Sequence, residues 1–126
     1  MNAGRLLRWS AVAAYMAGLF LLSSWSSPPS LPEGSDKLAH MALYAGLGVL
    51  SLWALADGRA ARVRVGVCVG AVLIAVAYGI FDEYHQAFVD GRSSEVADLV
   101  ADAVGASTAA AGAKLWVILT ARRSEE

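Results

Sequence analysis

Residues 65–81 read VGVCVGAVLIAVAYGIF, a run of 17 positions between Arg64 and Asp82 without a charge. A helix on the surface of a soluble bundle carries a polar stripe, with charged residues returning every third or fourth position. This stretch has no such stripe; wound as a helix it is apolar on every side. A helix crosses the hydrocarbon core of a bilayer with about 17–25 such residues. The stretch therefore predicts a membrane span.

Working outward, two more runs meet the same criterion. Residues 9–32 hold no charge over 24 positions, and residues 38–56 hold none over 19. A fourth segment, 96–121, carries Asp98, Asp102 and Lys114. It still reads as a span, because the acids lie near its start and Lys114 lies near its end, where a long side chain can snorkel to the interface. The expected helices cover about 6–24, 37–56, 63–86 and 96–121. A loop with Pro28, Pro29 and Pro32, a short turn over Asp57–Arg62 and a loop with the turn signal Asp90-Gly91 join them. The fold class is all-α: an integral membrane four-helix bundle forming one domain over residues 1–126. The first segment also has the form of a signal peptide, with Arg5 and Arg8, an apolar core and then SSWSS. Its apolar core runs past the usual signal length, which favours a retained helix.

Composition agrees. The chain is 57% hydrophobic and 17% charged, against about 45–50% and 25% for soluble domains. A net charge of −1 leaves no basic surplus for a nucleic-acid duplex. The lone Cys68 excludes an internal disulfide.

Near-neutrality hides a segregation. With the N-terminus inside, eight of the ten Lys and Arg residues fall on the inner side, and only Lys37 and Arg92 fall outside. That is the positive-inside pattern, and it predicts an N-in/C-in topology. Eight of the 11 acids fall on the outer side: Glu33, Asp36, Asp82, Glu83, Asp90, Glu95, Asp98 and Asp102.

The outer side also gathers the residues able to do chemistry. Asp36, His40 and Tyr44 recur every four residues, on one face of the second helix. Ala75, Gly79, Asp82 and Gln86 share a face of the third, with Tyr78 one turn before Asp82. Asp98 and Asp102 share a face of the fourth with Gly105 and Ala109. Small residues at that spacing let membrane helices approach closely, so these acids are expected to point into the bundle. Gly66 and Gly70 predict a second close contact toward the inner side. Each residue also has a purely structural reading. His40 can bridge helices, Tyr44 and Tyr78 can anchor at the interface, Asp82-Glu83 can open a solvated loop, and Asp98 can complement a helix dipole. His85 lies beside the acids but can face water, and no functional role is expected of it. Asp102 resists such a reading, because a charge two turns into a span is costly.

Three blocks carry a wider pattern: Asp36-Lys37-x-x-His40-x-x-x-Tyr44-x-x-Leu47, Asp82-Glu83-x-x-Gln86-x-Phe88-x-x-x-Arg92, and Asp98-x-x-x-Asp102-x-x-Gly105-Ala106. Together they resemble the VanZ-like family of small bacterial membrane proteins, over a motif core of residues 36–106. The family often has Asn where this chain has Asp102. The resemblance implies a multi-pass protein of the bacterial cytoplasmic membrane. It also implies a link to teicoplanin resistance, the property associated with the founding member. The family has been grouped with membrane enzymes acting on phosphate-linked lipid head groups.

Three functions follow as expectations. The first is an enzyme acting at the outer leaflet on a lipid or glycolipid head group. His40 serves as base or nucleophile, Asp36 orients it, and Asp82, Glu83 and Asp98 relay protons or hold a divalent cation. Arg92 grips phosphate, and Tyr44, Gln86 and Asp102 complete the substrate site. Membrane lipids are the expected partners and nucleic acid is not; the spacings diagnose no metal. The second is a non-catalytic module that binds a lipid, a cell-wall precursor or an antibiotic. The third, an ion carrier, is weakest, because the inner halves of the spans offer only Ser51, Cys68, Ser107, Thr108 and Lys114.

Overall fold

A computed structural model describes residues 1–126 and contains four long helices and no strand. They are α1 (Ala3–Ser23), α2 (Ser35–Leu55), α3 (Val65–Gln86) and α4 (Val96–Arg123). All four are long and apolar enough to cross a membrane. At about 1.5 Å per residue, the 21 residues of α1 or α2 match a hydrocarbon core about 30 Å thick. Asn2 caps α1, its side chain accepting the Arg5 backbone N–H at 2.8 Å. The left-handed backbone of Gly34 (φ +81°) leads the chain into α2.

The centre of the bundle is α2, which packs on α1, α3 and, most extensively, α4. Its buried face runs Tyr44, Leu47, Gly48, Ser51 and Leu52. The facing helices present small residues: Ala71, Ala75 and Gly79 from α3, and Ala101, Gly105, Ala106 and Ala110 from α4. A Cβ on Gly48 would lie 3.1 Å from the Cα of Ala106, and one on Gly105 would run into the backbone of Met41. Close backbone approach thus replaces large-residue packing at the α2–α4 crossing. The large apolar side chains point the other way. Val69, Leu73 and Ile80 of α3 and Val100, Leu115 and Trp116 of α4 are exposed on the outside of the bundle, which suits a lipid surround and would be costly in water. Tyrosine hydroxyls tie α1 to its neighbours. Tyr15 donates to the Leu43 carbonyl at 2.6 Å and Tyr78 to the Met16 carbonyl at 2.6 Å.

At the basic end Lys114 reaches toward the interface as expected, its Nζ donating to the Val63 carbonyl at 3.0 Å and satisfying an acceptor in the α2–α3 connection. The close contact expected of Gly66 and Gly70 needs correction: Gly70 meets Leu55, whereas Gly66 faces open space. The same end is closed by Asp57, which pairs with Arg8 and accepts from Arg62 Nη1 at 3.2 Å.

Candidate functional site

The opposite end of the bundle joins the C-terminal turns of α1 and α3 to the N-terminal turns of α2 and α4. Four-residue spacing on α2 stacks Asp36, His40 and Tyr44 down one side, from the exposed rim to the fully buried interior. The His40 and Tyr44 rings lie nearly parallel, with centroids 6.3 Å apart.

His40 is held from α4. Its Nδ1 lies 2.8 Å from Asp102 Oδ1, and its Nε2 lies 3.8 Å from Asp98 Oδ1. Asp102 is 1% exposed. The sequence reading gave the orienting role to Asp36, one turn earlier on the same helix. The geometry gives it to Asp102: Asp36 is exposed and its Oδ2 pairs with Lys37 at 3.1 Å. Residues four apart on a helix can pair, but here the Asp36 carboxylate turns to Lys37 and α4 supplies Asp102 to the ring.

Lys37, which sequence reasoning left out of the site, is its main crosslink. Its Nζ donates to Asp98 Oδ1 at 2.6 Å and to Glu95 Oε2 at 2.7 Å, joining α2 to the start of α4. A signal was available, since Lys37 is one of only two basic residues among the acids of this end.

From α3 come Asp82, Glu83 and Gln86, all buried. Tyr44 donates to Asp82 Oδ2 across a long 3.4 Å. Glu83 Oε2 accepts the Glu95 backbone N–H at 3.1 Å, tying α3 to the N-terminus of α4. With the Gln86 amide turned to satisfy both neighbours, its nitrogen donates to Glu83 Oε1 at 3.2 Å and its oxygen accepts from Arg92. Arg92 Nη1 also donates to the Trp25 carbonyl at 3.3 Å, joining the two loops at this end. His85 stands apart, stacked on Phe20 at 4.4 Å and 2.8 Å from Ser24 Oγ.

Several of these groups open onto a cavity of about 670 Å³, within the range of small-molecule sites. Trp25, Pro28, Pro29 and Pro32 of the α1–α2 loop form an apolar wall, and Asp36, His40, Gln86, Arg92, Glu95 and Asp98 form the polar one. A recess of about 40 Å³ adjoins it through His40, Gln86 and Arg92 and is lined by Tyr44 and Asp82. The larger cavity thus draws its lining from α2, α3, the start of α4 and the α1–α2 loop. Asp82 Oδ1 and Asp102 Oδ2 are buried without a hydrogen-bond partner. Of the acids expected to hold a cation, Glu83 and Asp98 come together with His40, each offering one ligand atom within 4.8 Å of the others. Asp82 instead faces Tyr44 and the recess.

The model of the VanZ/LLP1 family matches residues 6–118, nearly the whole bundle. The chain belongs to that family. No curated protein and no solved structure matches it. Within this VanZ-family protein, the three motif blocks fall on α2, on the end of α3 with its following loop, and on the start of α4. Their conjunction is the cluster just described. With four helices long and apolar enough to span a membrane, it is a multi-pass membrane protein.

Proposed function

We propose that this VanZ-family protein is an enzyme that acts on phosphate-linked lipid or glycolipid head groups. We place its site at the outer leaflet of a bacterial cytoplasmic membrane. The observation carrying the reading is the His40–Asp102 pair beside a cavity that also contains Arg92. A histidine fixed through Nδ1 presents Nε2 for work on an attacking oxygen. Arg92 supplies a planar donor fork suited to a phosphate. Gln86 lines the cavity that takes the head group, and Tyr44 lines the recess beside it. The apolar loop wall suits the acyl or prenyl portion of a lipid entering from the bilayer.

The outer placement rests on charge. Eight basic residues lie toward the end with both termini, and the cavity lies at the other end; the positive-inside rule turns that cavity outward. Altered head groups or wall precursors at this surface are the route by which such a protein would change teicoplanin susceptibility.

The test is head-group turnover by the purified full chain in nanodiscs of bacterial phospholipids, followed by phosphorus NMR and lipid mass spectrometry. His40→Ala is expected to lower turnover by about 10²–10⁴-fold, the usual contribution of a positioned proton-transfer group, while the protein still folds. Unchanged turnover in that variant refutes the assignment. A non-catalytic module binding a lipid, wall precursor or antibiotic is the second reading. It is favoured by Arg92 already being engaged with Trp25 and Gln86. It predicts saturable lipid binding, lost in Asp98→Asn, with no product at any time.

A further inference from the structure

We infer that His40 Nε2, Glu83 and Asp98 form a binding site for one divalent transition-metal ion of the Mn²⁺ or Zn²⁺ class. Three independent features lead there.

The first is geometry. One ligand atom from each residue lies within 4.8 Å of the other two. Atoms bound tetrahedrally at about 2.0–2.2 Å to a common ion stand about 3.3–3.6 Å apart. Nε2 and Asp98 Oδ1, 3.8 Å apart, are already near that spacing, and side-chain movements of up to about 1 Å close the rest of the set. Glu83 already accepts one hydrogen bond on each oxygen, from the Glu95 backbone N–H and from Gln86. That fixes the carboxylate and leaves a lone pair on each oxygen.

The second is the tautomer. Asp102 lies 2.8 Å from Nδ1 and so draws the ring proton there. Nε2 then presents a lone pair toward Asp98 Oδ1, 3.8 Å away and beyond hydrogen-bond reach. A carboxylate behind a histidine that turns its second nitrogen to other ligands is the outer support seen at metal centres.

The third is charge. Asp82, Glu83, Asp98 and Asp102 are all buried, and among them only Asp98 has a lysine partner. Asp82 Oδ1 and Asp102 Oδ2 have no partner at all, and Asp82 is among the residues of the recess that also includes His40. Buried charge without compensation is costly, and a divalent ion supplies what Lys37 alone does not. An imidazole in the set selects first-row transition ions over Mg²⁺ and Ca²⁺, which prefer oxygen ligands throughout.

On the head-group reading, and only there, the ion has a catalytic consequence. It would polarise a phosphoryl oxygen or a bound water; in the ion-loaded protein His40 Nε2 is then a ligand, and the proton transfer assigned to it above passes to that water.

The experiment is a titration of Mn²⁺ into the metal-free, detergent-solubilised full chain, with free Mn²⁺ read by its EPR signal. One ion per chain is expected, displaced by Zn²⁺. Glu83→Gln and His40→Ala should each weaken binding at least tenfold, with unchanged helix content by circular dichroism. Lys37→Met, which removes the competing ammonium from Asp98, should tighten it. Wild-type affinity no greater than that of Glu83→Gln, or a Lys37→Met variant that binds more weakly while folded, overturns the site. The two readings fail separately. Saturable Mn²⁺ binding without head-group turnover refutes the enzyme and leaves the ion site. Turnover without saturable binding does the reverse.

Discussion

Replacing Gly105 by alanine adds one methyl group at the tightest crossing in the bundle. A Cβ built there lies 2.8 Å from both Cα and the carbonyl carbon of Met41, and closer still to its oxygen. None of those atoms belongs to a side chain that can rotate away. Ordinary contact begins at 3.4 Å, so α2 and α4 must part by about 0.6 Å at the least, and by more at the oxygen. Overpacking of this kind costs about 1–3 kcal/mol. The displacement also reaches the site, because Met41 follows His40 and Gly105 lies one turn after Asp102. Carried to the His40–Asp102 pair, it stretches the 2.8 Å separation to about 3.4 Å, outside the hydrogen-bond range of about 2.7–3.2 Å. Thermal unfolding in detergent, followed by circular dichroism, reads the first effect. Nitrogen-15 NMR of the imidazole reads the second, through loss of the hydrogen-bonded Nδ1–H signal. A Gly105→Ala protein that melts with the wild type and keeps that signal would refute the close-approach reasoning.

Three other outcomes follow from the same geometry. Asp102→Asn should keep the Nδ1–H bond through its amide oxygen and remove a buried charge whose Oδ2 has no partner; stability within about 1 kcal/mol of wild type is expected, whereas Asp102→Leu should lose more in the same melting assay. Arg92→Gln should weaken binding of a phosphate-bearing lipid at least tenfold, and Arg92→Lys should restore it only in part, because a point charge replaces a two-pronged donor; lipid titration with native mass spectrometry measures both. In a Cys68→Ala background, Glu33→Cys should react with a membrane-impermeant maleimide in intact cells and Ser124→Cys should not; the opposite pattern would invert the proposed topology.

The spans were legible because bilayer thickness acts on each segment alone: 17 uncharged residues between Arg64 and Asp82 need no tertiary information. The inward placement of Asp98 and Asp102 was legible too, from the small residues sharing their face. What stayed hidden is pairing between helices. Helical spacing shows that Asp36 and His40 share a face, but not that α4 lays Asp102 against the same ring. It shows that Lys37 begins a span, but not that Asp98 and Glu95 converge on it. The partner that Lys114 finds was hidden for the same reason, since the Val63 carbonyl belongs to a turn whose path depends on how α2 and α3 dock. The α1–α2 loop gave no sign in sequence that it lines the cavity.

The glycines and the acids, read separately along the chain, are parts of one construction. An aspartate two turns into a membrane helix survives only if it is kept from lipid and given a polar partner. Gly79 meets the first need: a Cβ there would stand 2.9 Å from Asp102 Oδ2 and 3.4 Å from the ring of Tyr44, so the carboxylate occupies room that any side chain on α3 would fill. Gly105 meets the second, because only a residue without a Cβ lets α4 approach Met41 closely enough to bring Asp102 to His40. The close packing of α3 and α4 on α2 is therefore what makes a buried carboxylate–histidine pair tolerable. Stability at Gly79 and Gly105 and chemistry at His40 should then be lost together.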